Sequence, residues 1–135
     1  RMGATDDLED AYSFRTPSLR NVTLTAPYGH NGAYANLRDM VRHMADPLRM
    51  RDSWTPQLAA LPEVPWVQEI DFVIQSDAIE MQRQAAFLDV QPLRLTEPEI
   101  DDLVAFLESL TGSTAREGGR LGIPPSVPSG LPVDR

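Results

Sequence analysis

Between Phe14 and Met44 the chain reads FRTPSLRNVTLTAPYGHNGAYANLRDMVRHM, and this stretch constrains the fold more than any other. Pro17 interrupts its lead-in, so Phe14 to Thr25 is read as irregular or weakly extended, with Val22 and Leu24 on one side. Ala26 to Ala35 is a turn region. Gly29 and Gly32 permit backbone angles that other residues resist, and Asn31-Gly32 is a strong turn dipeptide. Asn36 then suits a helix N-cap. Leu37, Met40, Val41 and Met44 recur at i, i+3, i+4 and i+7, which is one apolar helix face. Arg38, Asp39 and Arg42 fall on the solvated side, His43 falls off the apolar face, and Pro47 limits the helix.

A second helix is expected over Thr96 to Leu110. Thr96 and Glu99 have capping-box spacing, and Pro98 sits in the first turn, where its missing donor costs little. Ile100, Leu103, Val104, Leu107 and Leu110 form the stripe expected to be buried, and Gly112 marks the stop. Asp101 and Asp102 suit the positive end of the helix dipole and are read as structural. Ser76 is placed as the cap of a less regular helix through about Leu88. Between them, residues 46 to 75 hold Pro47, Pro56, Pro62 and Pro65, with Trp54 and Trp66 expected to pack down from loops. Residues 1 to 13 are acidic and weakly patterned, a surface segment or linker. From Ser113 the chain loses its periodicity and reads as an extended Pro/Gly-rich tail.

The totals exclude several function classes. A net charge of −8 does not suit a phosphate backbone, which needs a basic face. No apolar run is long enough to span a membrane. Zero cysteines exclude disulfides, thiolate metal sites and a covalent c-type haem attached within these residues. The chain opens on Arg1, as expected for a processed product or a piece of a longer polypeptide.

Both histidines lie in the Phe14–Met44 stretch, with two of the five methionines. A thioether is a soft ligand suited to haem iron, and it raises the reduction potential. Pattern alone makes core packing the ordinary use of both Met40 and Met44. His30, between two turn glycines, reads first as a hydrogen-bonding tether.

At these residues the chain resembles the C-terminal portion of the bacterial di-haem cytochrome c peroxidase family. The resemblance rests on Phe14-Arg15-Thr16-Pro17-Ser18-Leu19-Arg20-Asn21, then Leu24-Thr25-Ala26-Pro27-Tyr28-Gly29-His30-Asn31-Gly32, then Leu37 to Met44, and later LTEPEIDDLVAFLESLTG. It covers about half of the chain, and the combined order of the motifs is specific. It implies a mainly α, cytochrome c-like helical haem domain with long irregular Pro/Gly-rich loops. Residues 1–112 would form the C-terminal part of that domain, residues 46–95 a family-atypical insertion, and residues 113–135 the tail. It also implies an oxidoreductase with haem c, attached through cysteines outside this chain, and with calcium. By resemblance, Met44 matches the axial ligand of the electron-accepting haem, which passes electrons to a peroxide-reducing haem. His30 and Tyr28 match the haem-side loop. Arg20 suits a haem propionate. The backbone carbonyls of Thr25 and Pro27 match calcium ligands.

The implied partners are the upstream haem-bearing part of the same protein, a small electron-donor redox protein and a second copy in a homodimer. The implied location is the periplasm. This chain alone is expected to be inactive. A branch of the same superfamily oxidises protein tryptophans and carries tyrosine at the axial position, so Met44 favours the peroxidase branch. A related di-haem oxidase acting on another protein or small molecule, or a non-catalytic electron-transfer module, are the alternatives.

Overall fold

Asn36 fixes where the first long helix begins. Its backbone is extended, and its side-chain oxygen accepts the Asp39 amide at 2.9 Å, satisfying one of the free donors of the first turn. The helix, α1, runs Leu37–Ala45 in a computed structural model that describes residues 6, 8–60, 62, 64–67, 69–116 and 126–130. It ends before Pro47 as expected, but the proline also starts a new helix. Asp46 turns the chain and caps α2, Pro47–Asp52, by accepting the Arg49 amide. Proline at the first helical position needs no amide partner there.

Residues 56–88 form short pieces. Pro56–Leu58 is a single 3-10 turn, α3 spans Val73–Ser76, and α4 spans Ala78–Ala86. The expected cap at Ser76 is displaced by one residue. Asp77 accepts the amides of Ile79 and Glu80, and its extended backbone separates α3 from α4. A carboxylate that takes two amides beside a helix dipole outcompetes a neighbouring hydroxyl.

The longest helix, α5, spans Glu97–Ser109 and opens with the expected capping box. Thr96 accepts from Glu99, and the Glu99 carboxylate accepts from the Thr96 amide at 2.8 Å. Its stripe is only partly covered. Ile100 is buried and Val104, Leu107 and Leu110 are half-buried, whereas Leu103 and Phe106 are exposed. Beyond it, Ser113–Arg116 forms one helical turn, α6, where extended chain was expected. Ala115 and Arg116 donate to the Gly112 carbonyl, and the Arg116 guanidinium reaches the Glu108 carbonyl at 2.8 Å. Most of the expected tail lies outside the described residues.

The lead-in also differs from a weakly extended piece. Val22–Leu24 winds into a 3-10 turn after Asn21, which holds left-handed backbone angles. Asn21 ties this turn to the end of α5, since its amide donates to the Leu110 carbonyl and its side-chain oxygen accepts the Gly112 amide. Leu8–Tyr12 is likewise 3-10 rather than loose chain. Among the described residues there is no strand, and the regular structure is helical.

The core is small and sits in one place. Its buried apolar members are Tyr28, Tyr34, Val41, Ala45 and Ile100, contributed by the turn region, α1 and α5. α1 packs against both α2 and α5. Burying a side chain such as Ile100 is worth roughly 1.5–3 kcal/mol. No helix among the described residues is long and apolar enough to cross a membrane.

Candidate functional site

The turn region closes on itself. Tyr28 and Tyr34 form an isolated antiparallel bridge, their amides donating to each other's carbonyls at 2.8 and 3.0 Å. The five residues between them reverse direction through left-handed angles at Gly29, Asn31 and Gly32. A Cβ at Gly29 would stand in ordinary van der Waals contact with the Tyr34 ring and the Met40 sulfur, at 3.4 and 3.5 Å. Met40 therefore packs under this loop. Tyr28 is buried, with its hydroxyl donating to the Thr23 carbonyl at 3.2 Å. Ala26-Pro27 is cis. Neither the Thr25 nor the Pro27 carbonyl accepts a hydrogen bond among the described residues.

Tyr34 is the most deeply buried core residue, 2% exposed, and its hydroxyl lies 3.0 Å from His43 Nδ1. The two rings stand 5.2 Å apart. Burial pushes the His43 imidazole below its usual pKa and the Tyr34 hydroxyl above its own, with the Asp39 charge adding to the rise at Tyr34. His43 was expected off the apolar face; the structure half-buries it, because the incoming Tyr34 supplies a polar partner there.

Met44 has the opposite environment. Along α1, Val41 is buried, Leu37 and Met40 are half-buried, and Met44 is 58% exposed. Its thioether thus projects from the outer end of the apolar face. The rest of the helix is fixed from behind. Arg38 bonds to Glu97 at 2.6 Å and also to Asp101, while Arg42 reaches Glu97 at 2.7 Å and Asp39 at 2.9 Å. These bonds hold the Glu97 carboxyl below its usual pKa and both guanidiniums above theirs. Both arginines were expected to be merely solvated. No local pattern relates Arg38 to residues of α5 about sixty positions away.

The other expected site residues are dispersed. His30 is exposed, its ring 5.0 Å from Phe14. Arg20 is exposed and forms no ion pair among the described residues. His30 and His43 both border an open cleft of about 920 Å³ whose far wall comes from residues 70–75 and α4. Trp54 lines it too, held by its indole N–H donating to the Ala33 carbonyl at 2.8 Å and by its ring 5.3 Å from Phe72. Trp66, expected to pack down, is 84% exposed. Met44 lines neither this cleft nor a recess of about 170 Å³ that shares several of its lining residues. Among the described residues, no three His, Asp or Glu side chains cluster as a metal site.

Among the described residues Met44 is the one exposed thioether, and the sequence holds no cysteine that could attach a haem.

The chain is 33% identical over 109 residues to the methylamine utilization protein MauG of Paracoccus denitrificans (strain Pd 1222), covering 78% of this chain and 24% of that protein. It is 28% identical over 109 residues to the cytochrome-c peroxidase IdrP1 of Pseudomonas sp. (strain SCT), covering 81% of this chain and 20% of that protein. Over 46 residues it is 46% identical to the cytochrome c551 peroxidase of Pseudomonas aeruginosa, covering 34% of this chain and 13% of that protein. The chain belongs to the di-haem cytochrome c peroxidase family. These relatives are named as cytochrome-c peroxidases and as a methylamine utilization protein. It spans only about a fifth to a quarter of the length of the relatives it matches along most of its own length. No protein-family model and no solved structure matches it significantly.

Proposed function

We propose that this chain forms part of a di-haem cytochrome peroxidase and supplies Met44 as the axial ligand of the electron-accepting haem. The outward thioether of Met44, at the end of a helix whose other apolar residues are packed, carries this reading. Haem supplies the one-electron redox couple, and a thioether ligand favours its ferrous state. Met40 serves the loop rather than the iron, because its sulfur lies beside Gly29 of that loop. His30 and Tyr28 shape the haem-side loop, and Arg20 offers an exposed guanidinium to a propionate. The haem is attached by cysteines of the polypeptide beyond this chain, which is also the partner that covers Met44.

Under this reading the chain by itself turns over no peroxide, and the whole protein works in the periplasm with a small electron-donor redox protein. The carbonyls of Thr25 and Pro27, which accept no hydrogen bond among the described residues, are proposed as calcium ligands, since hard oxygens suit that ion. Anomalous scattering from the calcium-supplied parent protein should place an ion beside them; its absence there would remove calcium from the account.

In the haem-bearing parent, Met44→Ala should abolish the sulfur-to-iron charge-transfer band at the red end of the ferric spectrum and lower that haem's potential. Met40→Leu and His43→Gln should leave both nearly unchanged. Survival of the band in Met44→Ala would defeat the assignment.

The similarity to MauG supports a second reading, a di-haem oxidase acting on another protein or small molecule. Steady-state turnover separates the two. A peroxidase oxidises a reduced small redox protein at the expense of peroxide, with stoichiometric loss of both, whereas the oxidase reading expects peroxide consumption to follow a different co-substrate.

A further inference from the structure

The helix carrying Met44 presents two candidate ligands in succession, and the structure treats them in opposite ways. His43 and Met44 point about 100° apart around α1. Imidazole is the stronger competitor for ferric iron in general terms, and it would lower the potential that a thioether raises. A rotation of α1 by less than a third of a turn would exchange one for the other. Two sets of bonds oppose that rotation, and they act on different flanks of the helix.

On one flank, Glu97 accepts from both Arg38 and Arg42, and Asp101 accepts from Arg38. Arg38 and Arg42 lie one turn apart, so both anchor the same side of α1 to α5. Met44 sits about 120–160° around the helix from that side. On another flank, the Tyr34 hydroxyl engages His43 Nδ1 at 3.0 Å, and Tyr34 is itself held by two backbone bonds to Tyr28. An exposed ion pair alone contributes little, but several charges sharing one carboxylate with fixed geometry are the exception. The tyrosine bond is sheltered and attached to a closed loop, so it resists displacement by water.

We infer that Tyr34 and Glu97 are positioning residues that fix the roll of α1 and so select the Met44 sulfur over the His43 imidazole as iron ligand. This rests on the reading of Met44 given above and adds the cause of its selection. Tyr34 acts by retaining His43 inside the protein, and Glu97 by holding the opposite flank to α5. Neither residue touches the iron.

The test uses the full-length, haem-bearing parent and reads the ferric spectrum and midpoint potential. Tyr34→Phe keeps the buried ring and removes the hydroxyl; Glu97→Ala removes the shared carboxylate. The double variant should lose most of the sulfur band, gain an imidazole-ligated low-spin spectrum and show a lower potential. Adding His43→Gln to that double variant should restore the band, because the competitor is then gone. A double variant that keeps both the band and the potential overturns the inference. So does a triple variant that fails to recover the band, since general unfolding of α1 would not be reversed by removing His43. A wild-type parent with no sulfur band overturns the ligand reading and the selection with it, whereas a wild-type band that persists in the double variant overturns the selection alone.

Discussion

The two halves of this molecule are held by different kinds of contact. Around α1 and α5 the chain is fixed by capping bonds, a shared-carboxylate ion cluster and a small core centred on Tyr34, Val41 and Ile100. The segment between, residues 46–95, is held at separate points. Arg51 donates to the Met81 carbonyl at 2.7 Å, Trp54 meets Phe72, and Tyr12 stacks on Phe87 while its hydroxyl donates to Glu80 at 2.7 Å. The ends are stitched to the frame through Leu58, whose carbonyl accepts from Ala35, and Leu93, whose amide donates to Ala45. Within this segment Trp66, Ile70, Val73, Ile79 and Phe87 remain exposed. The frame is thus specified by overlapping local and long-range bonds, and the 46–95 segment, beyond the packing of α2 on α1, by a few aromatic and polar contacts. Under the proposed reading of Met44, a site that must hold one sulfur atom in place belongs on the first kind of scaffold.

The largest expected contrast is in core truncation. Tyr34→Ala and Ile100→Ala should each destabilise the protein by about 2–5 kcal/mol, read as a fall in the urea midpoint. Ile79→Ala, exposed in the 46–95 segment, should stay within about 0.5 kcal/mol. Equal losses at Ile100 and Ile79 would show that this segment buries a core of its own.

Caps give a smaller and more even effect. Thr96→Ala and Asp77→Ala should each cost about 1 kcal/mol, because each removes a first-turn acceptor. The difference should appear in hydrogen exchange. Loss of the Thr96 cap should raise exchange across α5 and into α1, while loss of the Asp77 cap should stay local to α4. Spread of the second effect into α1 would erase the distinction between the regions.

Acid should affect the frame in two stages. Burial lowers the pKa of His43, so the unfolded chain binds its proton more tightly. Its contribution to stability is complete above the ordinary value of 6.5 and is lost as pH falls through the lower folded value. Glu97 and Glu99 are also lowered, by the two arginines and by the Thr96 cap respectively, so their contribution is lost below the ordinary value of 4.5. Stability measured against pH should therefore fall first near the histidine range and again near the carboxylate range. His43→Gln should remove only the first step. The smallest effect belongs to Trp66→Ala, which should leave stability within about 0.5 kcal/mol, since its ring is exposed.

What was legible in the sequence follows the same division. Asn36, Thr96 and Glu99 announced their helices because capping is local chemistry within four residues. Ile100 and Val41 were found by helical period. Tyr34 was not singled out, although it repeats Tyr28 across the two turn glycines, a spacing that hints at a closed loop. Its contact with His43 depends on how that loop folds back over α1. The Arg38–Glu97–Arg42 cluster joins residues far apart in the chain, so no window of sequence reveals it. Ser76 was read as the cap, while Asp77, an equally good capping residue one position on, takes the two amides. Trp66 was expected inside because tryptophan carries much apolar area, but its short proline-flanked segment brings no surface to cover it. Met44 shows the reverse: a helical stripe indicated burial, while the buried residues of α1 are Val41 and Ala45 and Met44 stays exposed. That mismatch directs attention to a covering group outside the chain.

The most direct measurement is the position of the Met44 methyl resonance in the reduced, haem-bearing parent labelled with [methyl-13C]methionine and assigned through Met44→Leu. A methyl held against the iron lies over the porphyrin ring current and should resonate far upfield of the ordinary methionine envelope, while the Met40 methyl stays outside that upfield region. A Met44 methyl found within the ordinary envelope would contradict the account.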